Sequence, residues 1–594
     1  VLSTQSNQRA ASRCAAVSFI TLILGLLLLS AGPGCSRRHY RQSADRQTYR
    51  IIRQAEEQVF GRTNAFSINT PFSDREPATL HPDELIGERS ASEKRVLNLD
   101  QALDLAVQHS REYQTQKEQL YLAALSLVGA ELEFSPRFFA ESTATASGSP
   151  SGTQSGSLRT QVGVSQLLST GGRLSVSLAN DLLRYFTGWS TGNGNGNSSR
   201  DSAVNILTAD LSQPILRGFG RNDARVENLT QSERNVIYAV RSFSQYQRQF
   251  AVDTVNAYFS LLAQKDGIRN NYTNYLRRVD TTAYLDARSV DRVRKSEVDD
   301  ARNAELSARI DYINSVANYL NAVASFKLRL GIPIGDAVYL DDADLRHLEQ
   351  AGLIGCEIDR LTAFRMAIEG HMDVLNAIDR FEDAQRRIRI AADQLKPGIL
   401  LTGSATLQSE APYDYANFNL EKVRYSTGVQ LDLPIDRRRE RNSYRAALVS
   451  FESQIRSLSL TLDDFKDRVE EGLRTLEQRR LNLLNRQAAL EVATRRQELN
   501  RDLLETGRAT IRDLREAQDQ LITAQNARSL TLVDYLRARL QLLLDVGALR
   551  TEGDEFWLKD PLPNRSAPGD AARSPLHMPD NTLFPPNQFL DPTP

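Results

Sequence analysis

Between residues 444 and 469 the apolar side chains recur every three or four positions. They are Tyr444, Leu448, Phe451, Ile455, Leu458, Leu462, Phe465 and Val469, with steps of four and three in alternation. That spacing is the seam of a coiled-coil helix. From Val469 through Leu473 to Leu476 the phase slips by one residue, so the supercoil must adjust locally there. A second stretch answers the first with Val236, Val240, Phe243, Phe250, Ala257 and Leu261, and a return helix carries Leu306, Ile310, Ile313, Ala317, Leu320 and Ala324. A continuous helix from about residue 223 to 285 would be roughly 90 Å long at ~1.5 Å per residue. No ordinary globular core needs a helix of that length.

Elsewhere the period changes to two. Val162 and Val164; Leu174, Val176 and Leu178; Val204 and Ile206; and Val429, Leu431 and Leu433 alternate with polar or small residues, as two-faced strands do. These segments have about the 9–11 residues that span a bilayer core as a tilted strand. Soluble hairpins are the other reading of the same alternation.

The whole arrangement occurs twice. Leu103-Asp104-Leu105-Ala106-Val107 returns as Phe364-Arg365-Met366-Ala367-Ile368, 261 positions later, and Ala130, Pro136 and Thr145 meet Ala391, Pro397 and Thr406 at the same offset. Each proline ends a helix, because it cannot continue the hydrogen-bond ladder, and a strand follows. Leu211-Ser212-Gln213-Pro214-Ile215 parallels Leu431-Asp432-Leu433-Pro434-Ile435 at an offset of 220, with Arg221-Asn222 matching Arg441-Asn442. Gly331 and Ala301 then meet Gly547 and Ala517 at 216. The fall from 261 to 220 leaves 41 extra residues between the strands of the first unit, including Leu174 to Ala179 and the Gly/Asn/Ser tract Thr191 to Arg200. They either add strands or form an outer loop. Each unit reads helix, strand, loop, strand, long helix, tip, long helix.

Composition narrows the function. Lys and Arg number 73 against 74 Asp and Glu in 594 residues, a balance that points to no nucleic-acid partner. Runs such as Arg437-Arg438-Arg439 read as solvated helix faces. Residues 1–35 read as an export signal: Arg9 and Arg13 precede the apolar run Val17 to Leu29, too short for a typical membrane-spanning helix. The sequence Ser-Ala-Gly-Pro-Gly leads to Cys35, the expected lipid-attachment residue, although Gly32 stands where a bacterial lipobox prefers leucine. Acylation of Cys35 and loss of Cys14 with the signal would leave Cys356 alone, excluding a disulfide or a Cys-rich metal site. A chain of this kind can cross a membrane only as a closed β-barrel. One copy has too few strands for that, so several must close it together.

No catalytic constellation is visible and no metal or cofactor is expected. His39, His81, His109, His347, His371 and His577 show no HExxH spacing, and Gly192–Asn197 lacks the ending of a phosphate loop. Asp341, Asp342 and Asp344 lack the glycine turn and distal glutamate of a calcium loop.

Three motifs, in this order and on a duplicated frame, resemble the TolC-type outer-membrane efflux family over residues 97–549. They are Leu-Asn-Leu-Asp-Gln-Ala-Leu at 97–103, Leu-Ser-Gln-Pro-Ile-Leu at 211–216, and the stretch from Gly507 to Gln525. The resemblance implies a mainly α fold with a β-barrel portion: a homotrimer whose 12-stranded β-barrel, in outer-membrane lipid, continues into a barrel of long coiled-coil helices. It implies two further partners, a periplasmic adaptor and an inner-membrane transporter, and a passive exit duct, not an enzyme. It also places Gly507, Thr510, Ile511, Asp513 and Leu514 at the adaptor-facing periplasmic tip. Asp513 and Glu516, three apart and so on one helix face, become candidates for an anionic ring at the pore aperture. The first tip departs from the pattern: Ser289 to Ser296 has no glycine and carries Arg292, Arg294 and Lys295, beside Arg288. No contact is carried over to it.

The expected divisions are a lipoprotein signal at 1–35, a periplasmic extension at 36–96, repeats at 97–331 and 358–549, a linker at 332–357, and a disordered Pro-rich tail at 550–594. Rival readings are a non-conducting coiled-coil envelope lipoprotein and, within the family, a duct for type I protein secretion or metal-ion export.

Overall fold

A computed structural model describes residues 37–90, 92–148, 154–187, 201–288, 294–354, 358–409, 418–433, 435–506, 508–551 and 556–559. Cys35, Gly507, most of the first tip, the Gly192–Asn197 tract and residues 560–594 lie outside them.

The long helices form where the seams predict them. In chain order the helices are α1 (Arg37–Phe60), α2 (Pro82–Ser90), α3 (Leu99–His109), α4 (Arg111–Phe134), α5 (Ala224–Arg288), α6 (Lys295–Leu330), α7 (Ala343–Ala351), α8 (Arg360–Gly370), α9 (Met372–Asp393), α10 (Arg438–Glu505) and α11 (Ile511–Asp545). The strands are β1 (Lys94–Leu97), β2 (Arg137–Gly148), β3 (Gln154–Leu167), β4 (Arg173–Thr187), β5 (Asp201–Pro214), β6 (Ala337–Leu340), β7 (Gly398–Gln408) and β8 (Arg424–Asp432). Helices α5 and α10 hold 65 and 68 residues. At ~1.5 Å per residue each is about 100 Å long. Among the described residues no helix is long and apolar enough to cross a membrane.

The chain divides into two compact units: Val1–Ile68, Gln119–Val240 and Ala392–Glu440 in one; Asn69–Glu118, Arg241–Ala391 and Arg441–Pro594 in the other. The first unit holds an open six-stranded antiparallel sheet of order β2-β3-β4-β5-β7-β8. The resemblance implied four strands per copy. The described part of the first repeat's insertion supplies β3 and β4, so it adds strands to the sheet, and the tract Thr191 to Arg200 lies outside the described residues. Within this unit α1 is fastened to α4, where Tyr49 meets Tyr121 edge-on at 5.8 Å and the Tyr121 hydroxyl donates to Asp45 at 2.7 Å.

In the second unit, β1 and β6 pair in parallel. The extension and the inter-repeat linker, separate segments by sequence, therefore meet in one small sheet. Tyr258 of α5 locks it: its hydroxyl donates to Asp344 at 2.7 Å, and Asp344 also accepts from the Leu99 backbone at 3.1 Å. The expected disorder after residue 550 does not begin at once, because Phe556 and Trp557 are buried in this unit.

The duplication is visible in two equivalent junctions. Between α3 and α4 the chain breaks at Ser110, and between α8 and α9 at His371, both with extended backbone. A positive-φ glycine packs on each break: Gly331 (φ 77°) against His109, and Gly547 (φ 74°) against Gly370. A Cβ on Gly331 would stand 2.0 Å from the His109 carbonyl oxygen, and one on Gly547 would stand 2.6 Å from the Gly370 carbonyl carbon. Left-handed strain for an L-residue is about 1–2 kcal/mol, and the backbone clash adds to it. Gly331→Ala should therefore lower the melting temperature of the helical signal by several degrees, whereas Gly87→Ala, with open space around it, should not. Equal melting of the two variants would remove this account of the junction.

Candidate functional site

Three features qualify as functional: a sheet face, a helix face and a tip. The sheet comes first. Because residues paired across strands share a face, the registers define one apolar side. One row runs Phe138, Val164, Val176, Ala209, Ala405, Tyr425, and the next runs Ala140, Val162, Leu178, Leu207, Leu407. The opposite side carries Glu141, Arg159, Gln161, Ser175, Ser177, Thr208, Asp210, Thr402 and Gln430 on the same strands. Phe138 is 85% exposed, Tyr425 81% and Val429 68%, so among the described residues the apolar side stands open at β2 and β8, while Leu407 at the far end of β7 is buried. One reading from the alternation needs correcting. Val204 and Ile206 pair with Asp181 and Ala179 and so lie on the polar side, whereas Leu207, Ala209 and Leu211 carry the apolar face of β5. Of residues 204–210 four are apolar, Val204 and Ile206 in one parity and Leu207 and Ala209 in the other, and alternation alone does not choose between two such sets.

The second feature is α6. Leu306, Ile310, Ile313 and Leu320, the stripe read from its seam, are 46–60% exposed. On α10 the seam is half-buried or exposed up to Leu462 and becomes buried at Phe465 and Val469. The stripes of α5 are already covered, with Phe250 and Leu261 buried. One copy thus satisfies part of its coiled-coil surface and leaves the rest open.

The third feature is the tip before α11. Thr510 is its N-cap, and with Asp513 it forms a reciprocal capping box. The Asp513 carboxylate accepts from the Thr510 N–H at 2.9 Å and from the Thr510 hydroxyl at 2.7 Å. These hydrogen bonds, the hydroxyl's first, hold the Asp513 carboxyl below the usual carboxylate range, so it stays ionised. Glu516 accepts from Arg496 and from Gln520, both at 3.2 Å. The two acids are therefore exposed, one folded onto its helix end and one paired with a cation of α10. Leu514 points inward and is buried, while Thr510 and Ile511 line a cavity of about 670 Å³ with Arg278, Tyr284, Glu297 and Gln518. Sequence reasoning missed Arg278, which is buried and donates to Asp519 at 2.6 Å and to the Arg515 carbonyl at 3.3 Å. It ties the first repeat's helix to the second tip, across a sequence distance that no local pattern spans.

The His371 junction holds a strongly perturbed histidine. Its ring is buried edge-on to Phe465 at 4.5 Å and lies 3.1 Å from the Gln245 amide nitrogen. Burial pulls its pKa down to about 4, with Arg468 and Arg248 adding to that and Asp373 opposing it. A folded value below the unfolded ~6.5 means the unfolded chain binds the extra proton. Stability from this group is thus full above pH ~6.5 and is lost as pH falls towards 4. Asp545, raised to about 6 by burial, works in the opposite sense over the same window. His371→Asn should accordingly melt less steeply than wild type as pH drops from 6.5 to 4.5. Parallel pH–melting curves would show that His371 is not the group responsible.

Among the described residues no group of His, Cys, Asp and Glu could hold a metal ion. The comparisons with known proteins agree with the geometry. Residues 363–548 match the family model described as outer membrane efflux protein. No curated protein matches the chain. The fold is that of solved outer membrane channels. The Campylobacter jejuni CmeC channel is 14% identical with a TM-score of 0.55, covering 76% of this chain and 85% of its own. The Vibrio cholerae outer membrane protein VceC is 14% identical with a TM-score of 0.54, covering 76% and 96%. The open state of the Neisseria gonorrhoeae MtrE channel is also 14% identical with a TM-score of 0.54, covering 76% and 88%.

Proposed function

We propose that this chain, whose residues 363–548 match the outer membrane efflux protein family model, is a member of that family and one protomer of a trimeric exit duct fed by an inner-membrane pump through a periplasmic adaptor. The observation that carries the reading is the open sheet with one mainly apolar, largely exposed face, crossed by the polar row Ser142, Thr160, Asn180 and Asn205, and one mainly polar face. Hydrocarbon suits the first and a water-filled lumen suits the second. Sheet edges cannot be left open in lipid, so β2 and β8 need the edges of other copies. The bare stripe on α6 needs neighbours for the same assembly. The helices, about 100 Å each, suit a tube reaching far from the membrane.

Transport in this reading is passive. The lumen supplies polar side chains and no energy source, and selection of cargo lies with the pump. Thr510, Ile511, Asp513 and Leu514, with Gly507, form the end that meets the adaptor. Asp513 and Glu516, repeated by symmetry, put negative charge at the aperture and favour cations there. Cys35 anchors the chain by an acyl group. A non-conducting envelope tether would need long helices but not a two-faced sheet, which is why the duct is preferred.

Reconstitution into planar bilayers tests this. Full-length protein should form heat-stable trimers and give cation-preferring currents, and a non-conducting rod would sink the proposal. Asp513→Asn keeps a capping acceptor and removes the charge, so it should roughly halve the cation preference while leaving the trimer intact. Unchanged selectivity would remove Asp513 from the aperture.

A further inference from the structure

The inserted hairpin β3–β4 is built into the sheet as fully as the strands common to both repeats. Its register with β2 runs through twelve pairs without a break, and its register with β5 is equally regular from Arg173 to Arg184. Its apolar residues Leu158, Val162, Val164, Val176, Leu178 and Leu182 continue the apolar rows of β2, β5 and β7. A hairpin folded outside the membrane would have no reason to keep that face in phase.

The turn of the hairpin is the second observation. Leu168 and Gly172 close it (Leu168 N–H to Gly172 carbonyl, 2.8 Å), and it is tied to the segment that leads from β5 into α5. Gly220 N–H donates to the Thr170 carbonyl at 3.0 Å, Arg225 donates to the Gly171 carbonyl at 3.1 Å, and the Thr170 hydroxyl donates to Gln213 at 2.7 Å. The turn therefore belongs to the helix-bearing end of the sheet, and the hairpin traverses the sheet's full height.

On the reading that copies of this chain close a membrane barrel, we infer that each contributes all six strands and that three copies form an eighteen-stranded wall, in place of the twelve implied by the resemblance. Each strand of the sheet is antiparallel to its neighbour, and the number per copy is even. The last strand, β8, therefore runs opposite to the first strand, β2, of the next copy, and every junction keeps the same antiparallel pairing. With strands ~4.8 Å apart and tilted ~40°, the backbone diameter rises from roughly 24 Å for twelve strands to roughly 35 Å for eighteen. Barrels of that strand number enclose an aqueous channel and not a packed core. The polar faces of the insert, with Arg159, Gln161, Ser175, Ser177 and Asp181, line it, so the outer mouth admits solutes broader than a twelve-stranded wall would pass.

The test is a strand count by electron cryo-microscopy of the full chain in lipid nanodiscs, joined to cysteine accessibility in a Cys356→Ser background. Eighteen strands from three copies are expected. A water-soluble maleimide should label Gln161→Cys, Ser175→Cys and Ser177→Cys at least several-fold faster than Val162→Cys, Val176→Cys and Leu178→Cys. A conducting trimer with twelve strands and the hairpin outside the wall, a twelve-stranded wall made by two copies, or equal labelling of the two sets would overturn the inference and leave the duct standing. Failure to form any membrane-embedded oligomer would overturn the duct, and with it the inference.

Discussion

Leu178→Arg should cost about 2–4 kcal/mol of barrel stability, the usual penalty for a cation near the bilayer midplane, and should deplete assembled oligomers from outer-membrane fractions by tenfold or more. Leu178 sits in the middle of an apolar row, between Val162 of β3 and Leu207 of β5. Its neighbour in sequence, Ser177, pairs with Gly163 and Thr208 on the polar side. Ser177→Arg places the same charge one residue away, on the face proposed to be wet, and should assemble nearly as wild type. The contrast isolates lipid exposure from any general intolerance of arginine in β4. It is read by heat-stable oligomer on semi-denaturing gels and by membrane fractionation. Equal loss in both variants would mean that the face, and not merely the residue, has been misassigned.

Trp557→Ala should strongly destabilise the second unit. The indole is 2% exposed, meets Phe259 edge-on at 6.3 Å and packs beside Phe556 at 5.7 Å. Arg539, 0% exposed, donates to the Trp557 carbonyl at 2.8 Å and to the Lys559 carbonyl at 2.7 Å. Emptying the Trp557 site removes a large buried ring and leaves a cavity, a change worth about 3–5 kcal/mol. Arg539→Met keeps much of the volume but abandons two carbonyls, each costing about 1–3 kcal/mol if left unsatisfied. Both variants should melt well below wild type, and a chain ending at residue 555 should behave like Trp557→Ala. If that truncation melts as wild type, the segment is an appendage and not part of the core.

Much of this organisation was legible without coordinates. The alternation of three- and four-residue steps in α10 and the period-two runs of β3, β4 and β8 are local properties, set by where each periodicity points its side chains. The duplication was legible too, because the prolines and glycines that end helices sit at constant offsets. Gly331 and Gly547 show why: a left-handed backbone against a neighbouring carbonyl admits no side chain, so the position is marked in the sequence itself.

Other features resisted reading for equally physical reasons. Alternation in β5 offered two apolar sets, and only pairing with Asp181 and Ala179 shows that Val204 and Ile206 belong to the polar side. At the tip, the sequence marked Asp513 and Glu516 as a pair of acids on one face. The folded geometry turned Asp513 onto Thr510 and paired Glu516 with Arg496, contacts that depend on cap geometry and on the helix opposite. Arg278 and Asp519 carried no signal at all, since their meeting depends on which helices pack.

By itself, then, the sequence determined the long helices, the two-faced strands and their twofold repetition, because periodicity and helix-ending residues act within a few positions along the chain. Only the tertiary structure decided that the first repeat's insert becomes strands of the same sheet, that the extension and the linker share β1 and β6, and that Trp557 completes a core. Each of those rests on hydrogen bonds or burial between residues far apart in sequence, and such contacts are fixed by packing and not by pattern.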